Sequence, residues 1–333
     1  MQVEAEVLGG YPRSRRLRRI MRRVEEVGNE SLTLLWEVLK EDSLMVIGAQ
    51  LGAGLTNVVD GMLDWHDLFR PFVEAWRGVY VDGLLRWFDN NFFYRIPVFV
   101  EPPDPQRLVL APRVAWVKGL IEGLAQVKVV LPGPYTLVGL SRNNTGLEEL
   151  ELAKIVARIL SREVEEAVRT GAAVVQLDEP LIGDVDASPE KLEDYTPLIN
   201  DILEKAKQMG ASTRLSIPYS VPAKQVYEKL LNIKADYIVI DFADSPKKAL
   251  ELVSEKGTAD FSLGLGVIQA RDIYVDDYNK VSSIVLETAK ALKDKDKILI
   301  TTSAWLDLIP LNYAIRKTWI LGEYARRLQE VLA

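Results

Sequence analysis

The sequence predicts a (β/α)8 barrel (TIM barrel) with an N-terminal helical elaboration, and three observations carry that expectation. From about residue 127 onward, short β-branched runs alternate with segments of helical period, the pattern of parallel strands joined by crossover helices. Strand candidates total eight in a chain of 333 residues, a length that suits one elaborated barrel. The apolar run 172–177 closes in Asp178, Glu179 and Pro180, which puts two carboxyls at the carboxyl end of a buried strand, where barrels keep their active sites.

In chain order the strands are expected at 3–8, 96–100, 127–131, 173–178, 213–217, 236–241, 261–267 and 297–302. Amphipathic segments lie near 148–170, 189–209, 222–232, 246–256 and 276–293. Ser188-Pro189 and Ser245-Pro246 each read as an N-cap followed by the residue best suited to the first helical position, and Gly210 and Gly257 stop the same two helices. Between the first two expected strands, residues 14–95 read as a helical insertion within a single domain spanning 1–333. A doubly wound open sheet is the rival, but Gly9-Gly10-Tyr11-Pro12-Arg13 after the first strand lacks the dinucleotide spacing.

Composition narrows the chemistry. The net charge of −7 argues against binding nucleic acid or an anionic membrane surface, because neutralising phosphates needs surplus Lys and Arg. No apolar run reaches the roughly 20 residues that span a bilayer, and the N-terminus, with Glu4 and Glu6 early, lacks a signal-peptide core, so a cytoplasmic location is expected. With no Cys and one His, His66, disulfides and thiolate chemistry are excluded and a conventional zinc site nearly so. Scarce Cys and His beside abundant Glu, Lys, Arg, Ile and Val fit a thermophile.

Arg13, Arg15, Arg16, Arg18, Arg19, Arg22 and Arg23 place seven arginines within eleven residues of an acidic protein, just after the first strand and at the start of a helix. Guanidinium groups favour planar contact with carboxylate or phosphate, and a helix N-terminus adds positive potential. The same charges are equally compatible with a solvated face pairing with Glu25, Glu26 and Glu30. The run 85–94, Leu-Arg-Trp-Phe-Asp-Asn-Asn-Phe-Phe-Tyr, combines aromatic and amide groups suited to a flat polar-edged ligand, although such clusters more often form core. Leu131-Pro132-Gly133-Pro134-Tyr135-Thr136 is a rigid turn whose glycine permits close approach of backbone.

In this order, Gly10-Tyr11-Pro12-Arg13 with its basic helix, residues 86–94, Gly133-Pro134-Tyr135-Thr136, Val175-Gln176-Leu177-Asp178-Glu179-Pro180, Gly264-Leu265-Gly266-Val267-Ile268 and Thr301-Thr302-Ser303 resemble cobalamin-independent methionine synthase over nearly the whole chain. In that family two related barrels form one enzyme. The C-terminal barrel holds zinc through His, two Cys and Glu and moves a methyl group from methyltetrahydrofolate polyglutamate to homocysteine; the N-terminal barrel lacks the metal. At the zinc positions this chain has Arg214, Ser216, Asp241 and Ser303 or Ala304, and Arg271 stands where the zinc barrel has its acid histidine. The resemblance therefore implies the N-terminal barrel, free-standing, with no metal or cofactor of its own.

That resemblance implies ligand contacts at Arg18, Arg19, Arg22 and Arg86, and Arg13, Asp178 and Arg271 are further expected substrate-binding residues. Asp178 and Glu179 are the only catalytic candidates, and for both a structural role in salt bridges with Arg214 or Arg271 is favoured over proton transfer. The expected partners are a separate zinc-bearing catalytic barrel and an acidic methyl donor, of methyltetrahydrofolate or corrinoid type. A stand-alone barrel enzyme acting on an acidic substrate and a non-catalytic scaffold are the alternatives.

Overall fold

The computed structural model describes residues 1–27, 32–292 and 295–333. Strand β1 (Gln2–Ala5) is followed by helices α1 (Arg15–Val27) and α2 (Leu32–Gly52), then β2 (Asn57–Val58), α3 (Arg70–Val73) and the long strands β3 (Trp76–Arg86) and β4 (Phe93–Pro105). Next come α4 (Leu110–Ile121), β5 (Gln126–Pro132), α5 (Pro134–Gly139), β6 (Arg142–Asn143), α6 (Glu149–Thr170) and β7 (Ala172–Asp178). Regular alternation completes the chain: α7 (Pro189–Gln208), β8 (Ser212–Ile217), α8 (Lys224–Leu230), β9 (Tyr237–Asp241), α9 (Pro246–Lys256), β10 (Ser262–Ile268), α10 (Tyr278–Ala291), β11 (Lys297–Thr302) and α11 (Leu311–Leu332).

Eight strands form one parallel sheet in the order β1-β11-β10-β9-β8-β7-β5-β2, a nearly closed barrel. Between its two end strands a side chain bridges: Asn57 donates through Nδ2 to Glu6 Oε2 at 2.8 Å. Strands buried on both faces read as unbroken apolar runs, and β7, β8, β9 and β11 are buried along almost their whole length. The predicted punctuation of α7 is present: Ser188 Oγ accepts from the Lys191 amide at 3.1 Å, and Gly210 beyond the helix has φ +91°. Gly257 ends α9 with φ +69°.

Two expectations need correction. Residues 96–100 do not form the second barrel strand; they lie in β4, which pairs antiparallel with β3 and parallel with the short β6 in a separate three-stranded sheet. The barrel strand at that place is β2, inside the segment read as a helical insertion, whose two long helices end at Gly52 and which then runs through strand, the short α3 and ribbon. At two residues, β2 is too short to show a period, whereas 96–100 in β4 is almost wholly buried and mimics a barrel strand. Glu30, one expected partner of the arginines, and residue 293, the expected end of the last amphipathic segment, lie outside the described residues.

Candidate functional site

A charged network fills the barrel interior. Glu6, just beyond β1, accepts from Lys128 Nζ on β5 at 2.9 Å and from Arg214 Nε on β8 at 3.3 Å, and all three side chains are buried. Arg214 lies over the Tyr237 ring at 4.4 Å and donates to Ser212 Oγ at 2.5 Å. Lys128 also donates to Gln176 Oε1 at 2.9 Å, and Gln176 passes the chain on through Nε2 to Asp178 Oδ1 at 2.7 Å. Burial alone would raise the Glu6 carboxyl, but Arg214 and Lys128 outweigh it and pull it down to about 2. Lys128 is lowered by burial, and its ion pair with Glu6 opposes that.

Asp178 sits at the top of this network, beneath Trp305, whose Nε1 donates to Asp178 Oδ2 at 2.8 Å. The indole is accommodated because residues 9 and 10 are glycines. A Cβ on Gly9 would lie 2.3 Å from Trp305 Nε1 and one on Gly10 2.6 Å from Trp305 Cε3. Glu179, fully buried, accepts from the amides of Tyr135 at 3.0 Å and Thr136 at 2.6 Å, and a Cβ on Gly133 would lie 2.0 Å from its Oε1. The rigid turn and the second carboxyl are thus one unit, and Glu179 fixes the start of α5. Burial pushes Asp178 up to about 7 and Glu179 up to about 8, against the donors that face them.

Neither carboxyl forms the salt bridge expected of it. Arg214 points down the barrel to Glu6, and Arg271 pairs with Asp244 and reaches Asn90 Oδ1 at 3.5 Å. For Arg214 the reason is register: Gln176 and Asp178 lie on the same face of β7, and Arg214 is paired with Gln176, one layer below Asp178.

The turn 87–92 covers the barrel mouth. Phe88 stacks on Tyr219 with centroids 5.7 Å apart, and both residues have positive φ, +50° and +74°. Left-handed backbone at two bulky aromatics is costly and is held by the surrounding packing. Trp87 and Tyr94 are buried against Phe69, so these rings are core. The space left between Asp178, Trp305, Tyr219 and Trp87 is about 20 Å³, enough for little more than one water.

A cleft of about 800 Å³ opens beside this plug, between the start of α1 and the segment 305–312. Tyr11, Met62, Trp65, Phe92 and Trp305 give it an apolar floor, and Arg13, Arg15, Arg18, His66, Asp67 and Asp307 give it polar edges. Arg13 donates to Leu63 O at 2.5 Å and to Trp65 O, and the 60–64 loop is held in turn by Arg113, which binds Asp64 at 2.6 Å and also pairs with Asp60. Burial raises Asp307 to about 7 despite nearby Arg13.

Of the sequence-derived ligand contacts, Arg13 and Arg18 line the cleft; Arg19 and Arg22 are exposed further along α1. Arg86 lies on the ribbon, pairs with Asp89 at 3.4 Å and does not line the cleft. Asp178 lies behind Trp305, and Arg271 lies on the far side of the turn 87–92. Sequence reading missed Glu6, Lys128, Trp305 and Asp307 as site-forming residues. A lysine inside Val127-Lys128-Val129-Val130-Leu131 was the available signal, because a charge in a buried strand requires a partner.

The four zinc positions do not fit a metal. Arg214 brings a cation already committed to Glu6, Ser216 and Ser303 bring hydroxyls, and Asp241 alone is a carboxylate, with Oδ1 accepting from the Ala243 amide at 2.8 Å. Burial raises Asp241 to about 7, which further weakens it as a ligand. No group of three or more potential metal ligands occurs among the described residues, and no helix among them is long and apolar enough to cross a membrane.

Residues 79–293 match the family model of the cobalamin-independent synthase N-terminal domain. A methionine synthase of Saccharolobus islandicus (strain Y.G.57.14) is 25% identical over 327 residues, covering 98% of this chain and 95% of the relative. The 5-methyltetrahydropteroyltriglutamate–homocysteine methyltransferase of Streptococcus gordonii is 28% identical over 301 residues, 84% of this chain but 38% of that one. Among solved structures, a B12-independent methionine synthase from Shewanella sp. W3-18-1 in complex with selenomethionine has a TM-score of 0.77 at 19% identity and covers 99% of this chain and 98% of its own. At that identity the likeness shows the fold.

Proposed function

Because the chain belongs to the cobalamin-independent methionine synthase family, matching its N-terminal domain, we propose that it is the donor-binding barrel of a methionine synthase divided between two polypeptides. The cleft beside Trp305 holds an acidic methyl donor of the methyltetrahydrofolate polyglutamate type, and α1 carries its anionic tail. Methyl transfer to sulfur needs the thiolate of homocysteine. A zinc-bearing partner barrel supplies that activation, since the residues at the corresponding positions here are unsuited to a metal. The Streptococcus relative, of which this chain matches 38%, supports the view that one barrel does part of a longer enzyme's work.

One observation carries the reading. In an acidic protein, Arg15, Arg18, Arg19, Arg22 and Arg23 have no carboxylate partner among the described residues, and Arg15 and Arg18 open onto the cleft. Among the described residues, Arg16 is the one arginine of this helix in an ion pair, with Glu41. Unpaired guanidiniums in a row form a site for successive carboxylates, with attraction that salt screens over about 8 Å at physiological ionic strength.

A stand-alone enzyme using Asp178, Glu179 or Asp241 as acids is favoured by their raised pKa values near neutrality. The closed mouth, with space for about one water, counts against it.

The test is the dependence of affinity on tail length. Replacing Arg18, Arg19 and Arg22 together by Ala is expected to weaken methyltetrahydrofolate triglutamate about ten- to hundredfold and the monoglutamate less than about threefold, with the difference shrinking as salt rises. Calorimetric titration measures both. Equal losses for the two ligands, or none, would reduce α1 to a solvated face.

A further inference from the structure

The cleft has a second polar end, and its residues are not equally available. Asp67 is spent on backbone: Oδ1 accepts from the amides of Phe69 at 2.9 Å and Arg70 at 2.8 Å, and Oδ2 from that of Arg95 at 3.3 Å. Arg13 is spent on the carbonyls of Leu63 and Trp65, and His66 faces Glu25 at 3.3 Å. Asp307 differs. It is half-buried at the cleft wall, and among the described residues its carboxylate takes part in no hydrogen bond or ion pair with another side chain.

Its position is nevertheless fixed. Asp307 lies in the 3-10 turn Leu306–Leu308, whose first amide donates to Gly10 O at 2.8 Å, directly after Trp305, anchored on Asp178. Beside it lie the flat rings of Trp305, Trp65, Tyr11 and Phe92, with Trp65 and Trp305 in contact at 6.4 Å between centroids. A carboxylate carried on an anchored turn and paired with no other side chain among the described residues, at the edge of an aromatic floor, is complementary to a planar ring that presents two adjacent N–H donors.

Resting on the donor-binding reading, we propose that Asp307 is a specificity-determining residue of the cleft, accepting the paired N–H groups of a pterin-like heterocycle while the arginines of α1 take the anionic tail. One cleft thereby reads both ends of one elongated ligand. An anion without a donor-bearing ring would gain only the arginine contacts.

The two ends are separable by experiment. Binding is measured with a tetrahydropterin lacking the glutamate tail and with a γ-linked triglutamate peptide lacking the pterin, on the wild type, on Asp307→Asn and on Asp307→Glu. Asp307→Asn replaces one acceptor by a donor and should weaken the tail-free pterin at least tenfold, while changing the triglutamate peptide less than about twofold. Retained peptide binding also certifies the fold of the variant. Asp307→Glu, which keeps the carboxylate, should recover part of the loss. Wild-type pterin affinity should fall as pH drops below the Asp307 value of about 7, where the acceptor is protonated, and this dependence should vanish in Asp307→Asn. Pterin affinity unchanged by both substitutions overturns the proposal while peptide binding keeps the donor-binding reading; a wild type that binds neither probe overturns both.

Discussion

Glu6→Gln is expected to lower the unfolding free energy at neutral pH by about 3–5 kcal/mol, because it leaves Lys128 and Arg214 buried without a counter-charge. The shape of the side chain is kept and Asn57 still has an oxygen to donate to, so the loss isolates the charge. The pH dependence supplies a sign. Glu6 titrates at about 2 when folded against an ordinary 4.5, so its ionisation contributes in full above about 4.5, and that contribution is lost as pH falls through about 2. The difference between wild type and variant in denaturant titrations should be largest near neutrality and shrink below about 4.5. A constant difference across that range would show that the network is held by packing. Asp178, Glu179, Asp241 and Asp307 run the other way: raised by burial, they stabilise the fold at low pH, and that contribution fades as pH rises through about 7 to 8.

Trp305→Ala should cost a further about 3–5 kcal/mol, the usual range for emptying a buried indole site. The expected consequence is also geometric. Trp305 separates the small space above Asp178 from the large cleft, so its removal joins them and takes from Asp178 one of its two donors. Indole added to the variant should bind the vacated site and recover part of the stability in a concentration-dependent way. A loss below about 1 kcal/mol, or no response to indole, would mean that neighbouring chain collapses into the gap and that the plug is not rigid.

The division between what the sequence reveals here and what it hides follows from range. Strands buried on both faces write themselves as apolar runs, so β7 to β11 were legible, and Ser188 and Gly257 marked helix ends because capping is local chemistry. β2 was not legible, since two residues carry no period. The ribbon was misread because Ile96, Pro97, Val98 and Phe99 are buried by the covering sheet as thoroughly as a barrel strand would be. Asp178 and Glu179 were visible as site-forming residues from their place at a strand end, but their partners were not. Arg214 finds Glu6 across 208 residues and Lys128 finds it across 122, distances over which no local pattern acts. Asp307 escaped notice for the same reason: only closure of the barrel brings it opposite the arginines of α1.

The claim that this barrel binds the donor while another polypeptide activates the thiol is tested most directly by complementation. Methyl transfer from methyltetrahydrofolate triglutamate to homocysteine is measured for this chain alone, for a zinc-bearing barrel alone and for the mixture, with size-exclusion chromatography on the same samples. The account predicts no turnover by this chain alone, co-elution of the pair, and a rate for the mixture at least tenfold above that of the zinc barrel. Turnover by this chain alone, or a zinc barrel that is fully active without it and never co-elutes with it, would contradict the account.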